Sequence, residues 1–144
     1  MNLVKLSALF LFLSISFNTY GGSVIMYDLE GISNTTQSTT WVDKGTIRER
    51  DGYIYYSFIE EMVRPFNDGA WTLIHHMVAD CKSKFFLLYK LTTYPSPLRH
   101  GPLDEEQGTV HEYNDTEWSY FDPNTREYKI VCDPANYTVL KRSS

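Results

Sequence analysis

Four histidines and two cysteines are the side chains with the most chemistry to offer here: His75, His76, His100, His111, Cys81 and Cys132. His75 and His76 are adjacent, and on a strand adjacent side chains point to opposite faces. They therefore cannot share a metal, and the HxH or HxxxH spacings that put two imidazoles on one face are absent. The bland reading is that His75 packs at the edge of the core and His76 is partly solvated. From Asp104 to Asp122 the chain carries seven acids (Asp104, Glu105, Glu106, Glu112, Asp115, Glu117 and Asp122) with no Lys or Arg. A calcium loop needs alternating oxygen ligands and a glycine-assisted bend; this stretch lacks that spacing and reads as a solvated acidic loop. GxSxG, HExxH, P-loop and GxGxxG patterns do not occur. Cys81 beside His75 or His76 would be a nucleophile–base pair only if its thiol stayed reduced.

The redox compartment bears on that point. Leu6 to Phe17 is a twelve-residue apolar run behind a single charge, Lys5. It is shorter than the ~20 residues needed to span a bilayer. Small residues follow at Ser14, Ser16, Thr19 and Gly21, the pattern of a secretory signal peptide. The expected processing is 1–21 as signal, cleaved after Gly21 with Ser16 as second choice, and 22–144 as a mature single domain of roughly 120 residues, enough for a core. No Cys lies near the cleavage zone, so a lipid anchor on a mature N-terminal Cys is not expected. Export and an even cysteine count argue for one disulfide, Cys81 with Cys132, against two free buried thiols. A disulfide removes the thiolate, and the expectation is no enzyme, no metal and no cofactor.

Charge narrows the partners. Removing the leader takes one lysine from the 13 basic residues and none of the 18 acids, so the formal charge moves from −5 to −6. Nucleic acid requires clustered Lys and Arg to neutralise phosphate, so it is not an expected partner. Sequons at Asn34, Asn114 and Asn136 matter only where exported chains are glycosylated at such sites.

The elements that would hold these residues are mostly strands. Val24–Leu29 and Thr39–Asp43 are short runs, the second followed by a turn at Asp43-Lys44-Gly45, and the polar segment 33–40 reads as a loop running into a strand. Asp51-Gly52 marks a turn before Tyr53–Met62, which is dense in aromatic and β-branched residues. Ala70–Cys81 alternates with period two, and Trp71, Leu73, His75, Met77, Ala79 and Cys81 form its better core face. Lys82–Lys84 turns the chain into Phe85–Tyr94, a hairpin partner. Prolines at 95, 97 and 102 make a loop, and Thr109–Tyr113 is a short strand. Asp122 as N-cap and Pro123 at the first position predict a helix over 123–132, with a strand over 127–131 as the alternative. The predicted class is α+β: an antiparallel sheet with a short C-terminal helix.

In order along the chain, Trp41-Val42-Asp43, Thr46-Ile47-Arg48, Asp51-Gly52 with its aromatic strand, Asp80-Cys81-Lys82, the strand end at Lys90–Pro97, and Trp118, Pro123 and Val131-Cys132 form a pattern that resembles the bacterial surface-adhesin E family. The likeness spans roughly residues 24–133. It implies an antiparallel sheet tied by a disulfide to a C-terminal helix. It also implies an exported, periplasmic or cell-surface location, and binding of host extracellular-matrix or plasma proteins, with homodimers as an option. The family's binding segments have no counterpart that can be matched residue by residue. The aromatic content, with 11 Tyr and 3 Trp, independently suggests a binding surface, because one sheet with one short helix cannot cover both its faces. Tyr53 and Tyr55 fall on one face of their strand, Tyr56 and Phe58 on the other; Tyr53, Tyr55 and Trp118 are the candidate binding residues. The alternative function is a periplasmic accessory domain that binds a small ligand or another envelope protein.

Overall fold

A computed structural model describes residues 27–114 and 116–139. The expected signal peptide, and residues 24–26 of the first predicted strand, lie outside the described residues. Six strands follow one another in space as they do in sequence: β1 (Leu29–Asn34), β2 (Ser38–Arg50), β3 (Tyr53–Met62), β4 (Thr72–Asp80), β5 (Phe85–Tyr94) and β6 (Thr109–Glu112). Each pairs antiparallel with the next, and the sheet curls into a half-barrel. Two short strands extend it: β7 (Ser119–Tyr120) pairs with the start of β5, and β8 (Thr138–Val139) runs parallel to the end of β2. Among the described residues the helical part is small, a single α-helix α1 (Arg126–Val131) and three short 3₁₀ turns. Among the described residues no helix is long and apolar enough to cross a membrane.

Strand β3 has the bounds read from its composition, and the turn before it follows from its residues. Asp51 and Gly52 both have positive φ, 53° and 85°, while Arg50 and Tyr53 face each other across the ladder. A two-residue hairpin of this kind needs left-handed backbone at both positions, which Asp-Gly supplies at low steric cost. Of the polar segment 33–40, Ser33 and Asn34 end β1, and Thr35 closes a tight turn into β2 by accepting hydrogen bonds from the backbone N–H groups of Gln37 and Ser38. Asp43-Lys44-Gly45 does not end its strand. Strand β2 continues for 13 residues, with a bulge against β3 between Asp43 and Arg48. Polar side chains replace the lost ladder. Thr46 donates to the Asp43 carbonyl at 2.7 Å and accepts from the Ser57 N–H at 2.8 Å. Buried Asp43 accepts from the N–H groups of Asp28 and Gly45.

Both faces of the sheet are packed, at opposite ends. On one, the helix face, Val42, Ile54, Tyr56, Met77 and Ala79 meet Phe121, Ile130 and Val131. On the other, the loop face, Ile59, Ile74 and Tyr94 meet Leu98 and Leu103 of the proline-rich segment, together with Tyr27. Consequently Thr72, Ile74 and Val78 are as buried as the alternate set that contains Met77 and Ala79, and β4 has no single core face. Arg99 clamps that segment down: its backbone N–H and its guanidinium both bond Glu61 at 2.7 Å, and the guanidinium lies 4.9 Å over Trp71. At Gly108 an added Cβ would sit 3.0 Å from Thr92 and from the Tyr94 ring, so a larger residue would have to push one of these side chains aside.

The helix is shorter than its sequence suggests. Asp122 does not cap it; its carboxylate turns back to the Asn124 N–H. Thr125 is the cap, accepting from the Tyr128 N–H. Cys132 follows the last helical residue and is bonded to Cys81, just after β4, with Cα atoms 5.7 Å apart. Tyr128 reinforces the junction by donating to the Cys81 carbonyl at 3.0 Å. The acidic stretch 104–122 is not one loop, since it supplies β6, β7 and buried Phe121.

Candidate functional site

Alternation along β3 and β4 sends the two neighbouring histidines to opposite faces: His75 faces Phe58, His76 faces Ser57. On the helix face, the His75 ring stacks on Phe58 with centroids 4.1 Å apart, and its Nε2 lies 3.2 Å from Glu60. Ser38 donates to the other Glu60 oxygen at 2.7 Å. The bonds from His75 and Ser38 outweigh desolvation and hold the Glu60 carboxyl below its ordinary range. Nearby, buried Tyr56 donates to Glu127 at 2.7 Å. Burial raises the Glu127 carboxyl, against the Tyr56 bond and the attraction of His75. Each carboxylate in this network has a protein donor, which is the arrangement of a satisfied structural cluster.

On the loop face, His76 sits in a cavity of about 380 Å³ between the sheet, Tyr27 and the segment leading into β6. Its Nδ1 is 3.1 Å from Ser57 Oγ and its Nε2 3.1 Å from Thr92 Oγ1. Burial, with the nearby charges of Lys90 and His75, pushes this imidazole down from 6.5 to about 4. A Ser–His contact resembles a nucleophile and its base, but the base is weak here. Its second nitrogen meets a hydroxyl where a triad places a carboxylate. Among the described residues no group of three His, Cys, Asp or Glu side chains is placed to hold a metal ion.

The candidate binding residues Tyr53, Tyr55 and Trp118 share the loop face, beyond the cavity. Tyr53 and Trp118, 65 positions apart, have ring centroids 6.0 Å apart. With Asp80, Ser83 and Phe85 they line a depression of about 400 Å³. Tyr120, opposite Phe85 in the β5–β7 pair, stands edge-on to it at 6.4 Å. Exposures of 40% for Tyr53, 41% for Phe85, 44% for Trp118 and 61% for Tyr120 leave all four open to a partner. Tyr55 is half-buried and contacts Tyr89 edge-on at 6.1 Å, and Tyr89 in turn lies 6.3 Å from the His76 ring. Sequence reasoning missed Phe85 and Tyr120. Their signal was the open-face alternation of β5, legible only once β7 is known to pair there. It also missed the cavity, whose walls come from six separate segments.

Comparison of the chain with protein-family models, curated proteins and solved structures finds no match.

Proposed function

We propose that the chain is a non-catalytic binding module of the surface-adhesin E-like kind, exported to the cell envelope or beyond, that holds a protein ligand on its aromatic end. Host matrix and plasma proteins are the ligand class that the resemblance implies. The observation that carries this reading is the cluster of Tyr53, Phe85, Trp118 and Tyr120, four large rings exposed together on one face. Aromatic side chains bring large apolar area at low entropic cost and dominate the energetics of protein interfaces. With an excess of acids over bases in the chain, a partner with a basic surface is favoured. Purified protein titrated against immobilised matrix and plasma proteins should bind saturably, and Trp118→Ala should weaken that binding by about 30-fold, the effect of an interface hot spot of ~2 kcal/mol. Equal affinity in the parent, Trp118→Ala and Tyr53→Ala proteins would remove the aromatic cluster from the interface. The second reading, an accessory domain for a small ligand, is favoured by the cavity around His76.

A further inference from the structure

The geometry points to the loop-face cavity as a binding site for an uncharged polyhydroxylated ligand, a mono- or disaccharide. This deepens the second reading and is independent of the aromatic cluster as a protein interface. At about 380 Å³ the cavity lies within the roughly 300–1,000 Å³ of small-molecule sites.

Its lining suits hydroxyl groups better than a charge of either sign. Ser57 and Thr92 bracket the uncharged His76 ring. A neutral imidazole donates through one nitrogen and accepts through the other. Whichever tautomer is present, one of the two hydroxyls keeps its O–H for a ligand, and both keep acceptor capacity. Tyr27 and Tyr94 line the same cavity. Asp43 and Glu105 line the same cavity as Lys90. An anion would meet the two carboxylates and a cation would meet the lysine. A sugar hydroxyl, which donates and accepts, can use both kinds. Ile74 and Val110 supply apolar wall for the C–H surface of a pyranose ring.

The ring nitrogens of His76 report on this site directly. Glucose, N-acetylglucosamine and lactose are titrated into the isotopically labelled full chain, with glycine as zwitterion, inorganic phosphate as anion and choline as cation. The His76 ¹⁵N signals are followed by NMR. At least one sugar should shift them saturably, while glycine, phosphate and choline leave them in place. Val110→Trp fills the cavity from an exposed position on edge strand β6, and it should weaken sugar binding at least about 10-fold. Lys90→Met should also weaken it, and serves if Val110→Trp does not fold. Protein binding at Trp118 should be unchanged in both variants, so failure here and failure of the aromatic interface are separable. The proposal is overturned if no sugar moves the His76 signals, if sugar binding survives both variants, or if only a charged probe binds.

Discussion

Removing the disulfide, by Cys81→Ala with Cys132→Ala, tests how the sheet and the C-terminal segment depend on each other. The bridge closes a loop across 51 positions. Loop-closure entropy for that length amounts to about 4 kcal/mol of added denatured-state freedom once it is cut. The local structure offers little to replace it. Helix α1 has six residues, far fewer than the ~12–15 at which an isolated helix becomes even marginal. It is held by Ile130, Val131 and Phe121 packing on the helix face and by Tyr128 on the Cys81 carbonyl. A loss of about 4 kcal/mol is a large share of the ~5–15 kcal/mol that holds a domain together. For a chain of this size it should lower Tm by roughly 10–20 °C. Urea unfolding of the parent, the double variant and the reduced parent measures it. Hydrogen exchange should show the amides of α1 losing protection before those of β3 and β4, because helix and sheet are then joined only by packing and by the hydrogen bonds of Tyr128 and Tyr56. A double variant with the parent's urea midpoint, and α1 amides as protected as those of β3, would refute the reasoning.

Two further outcomes follow from buried polar groups. Tyr56→Phe removes the donor from the partly buried Glu127 carboxyl and should cost about 1–3 kcal/mol; adding Glu127→Leu should recover part of that loss, and a Tyr56→Phe protein with parental urea stability would contradict the argument. His76, depressed from 6.5 to about 4 by burial, is neutral in the fold where the unfolded chain already binds a proton. Its contribution is therefore complete above pH 6.5 and is lost as pH falls toward 4. Partial exposure discounts the effect to about 1 kcal/mol between pH 7 and 5. The raised Glu127 carboxyl acts in the opposite direction, so the measurement is the difference in pH slope between the parent and His76→Gln; identical slopes would contradict it.

Local rules made much of the architecture legible. The bounds of β3 follow from its run of aromatic and β-branched residues. The hairpin at 51–52 follows from Asp-Gly, and the opposite facing of His75 and His76 from the period of a strand. Disulfide formation was foreseeable from two cysteines and an expected oxidising compartment. All of these depend on neighbours in sequence or on composition. The β2 bulge was not legible, because a turn signal at 43–45 was overridden when Thr46 and Asp43 found partners on Ser57 and Asp28. The burial of both faces of β4 depended on the proline-rich segment folding back over Ile74, held by Arg99 on Glu61. The helix cap moved from Asp122 to Thr125 because the Asp122 carboxylate closed a turn of its own. The meeting of Tyr53 with Trp118, and the gathering of Tyr27, Asp43, Ser57, His76 and Thr92 around one cavity, required the strand order and the registers of four ladders. Sequence by itself determined the central strands β3, β4 and β5 and which side chains of β3 and β4 share a face, since those depend on a two-residue period and on turn chemistry. Only the tertiary structure decided which faces are covered and which side chains meet, since that depends on contacts between residues tens of positions apart.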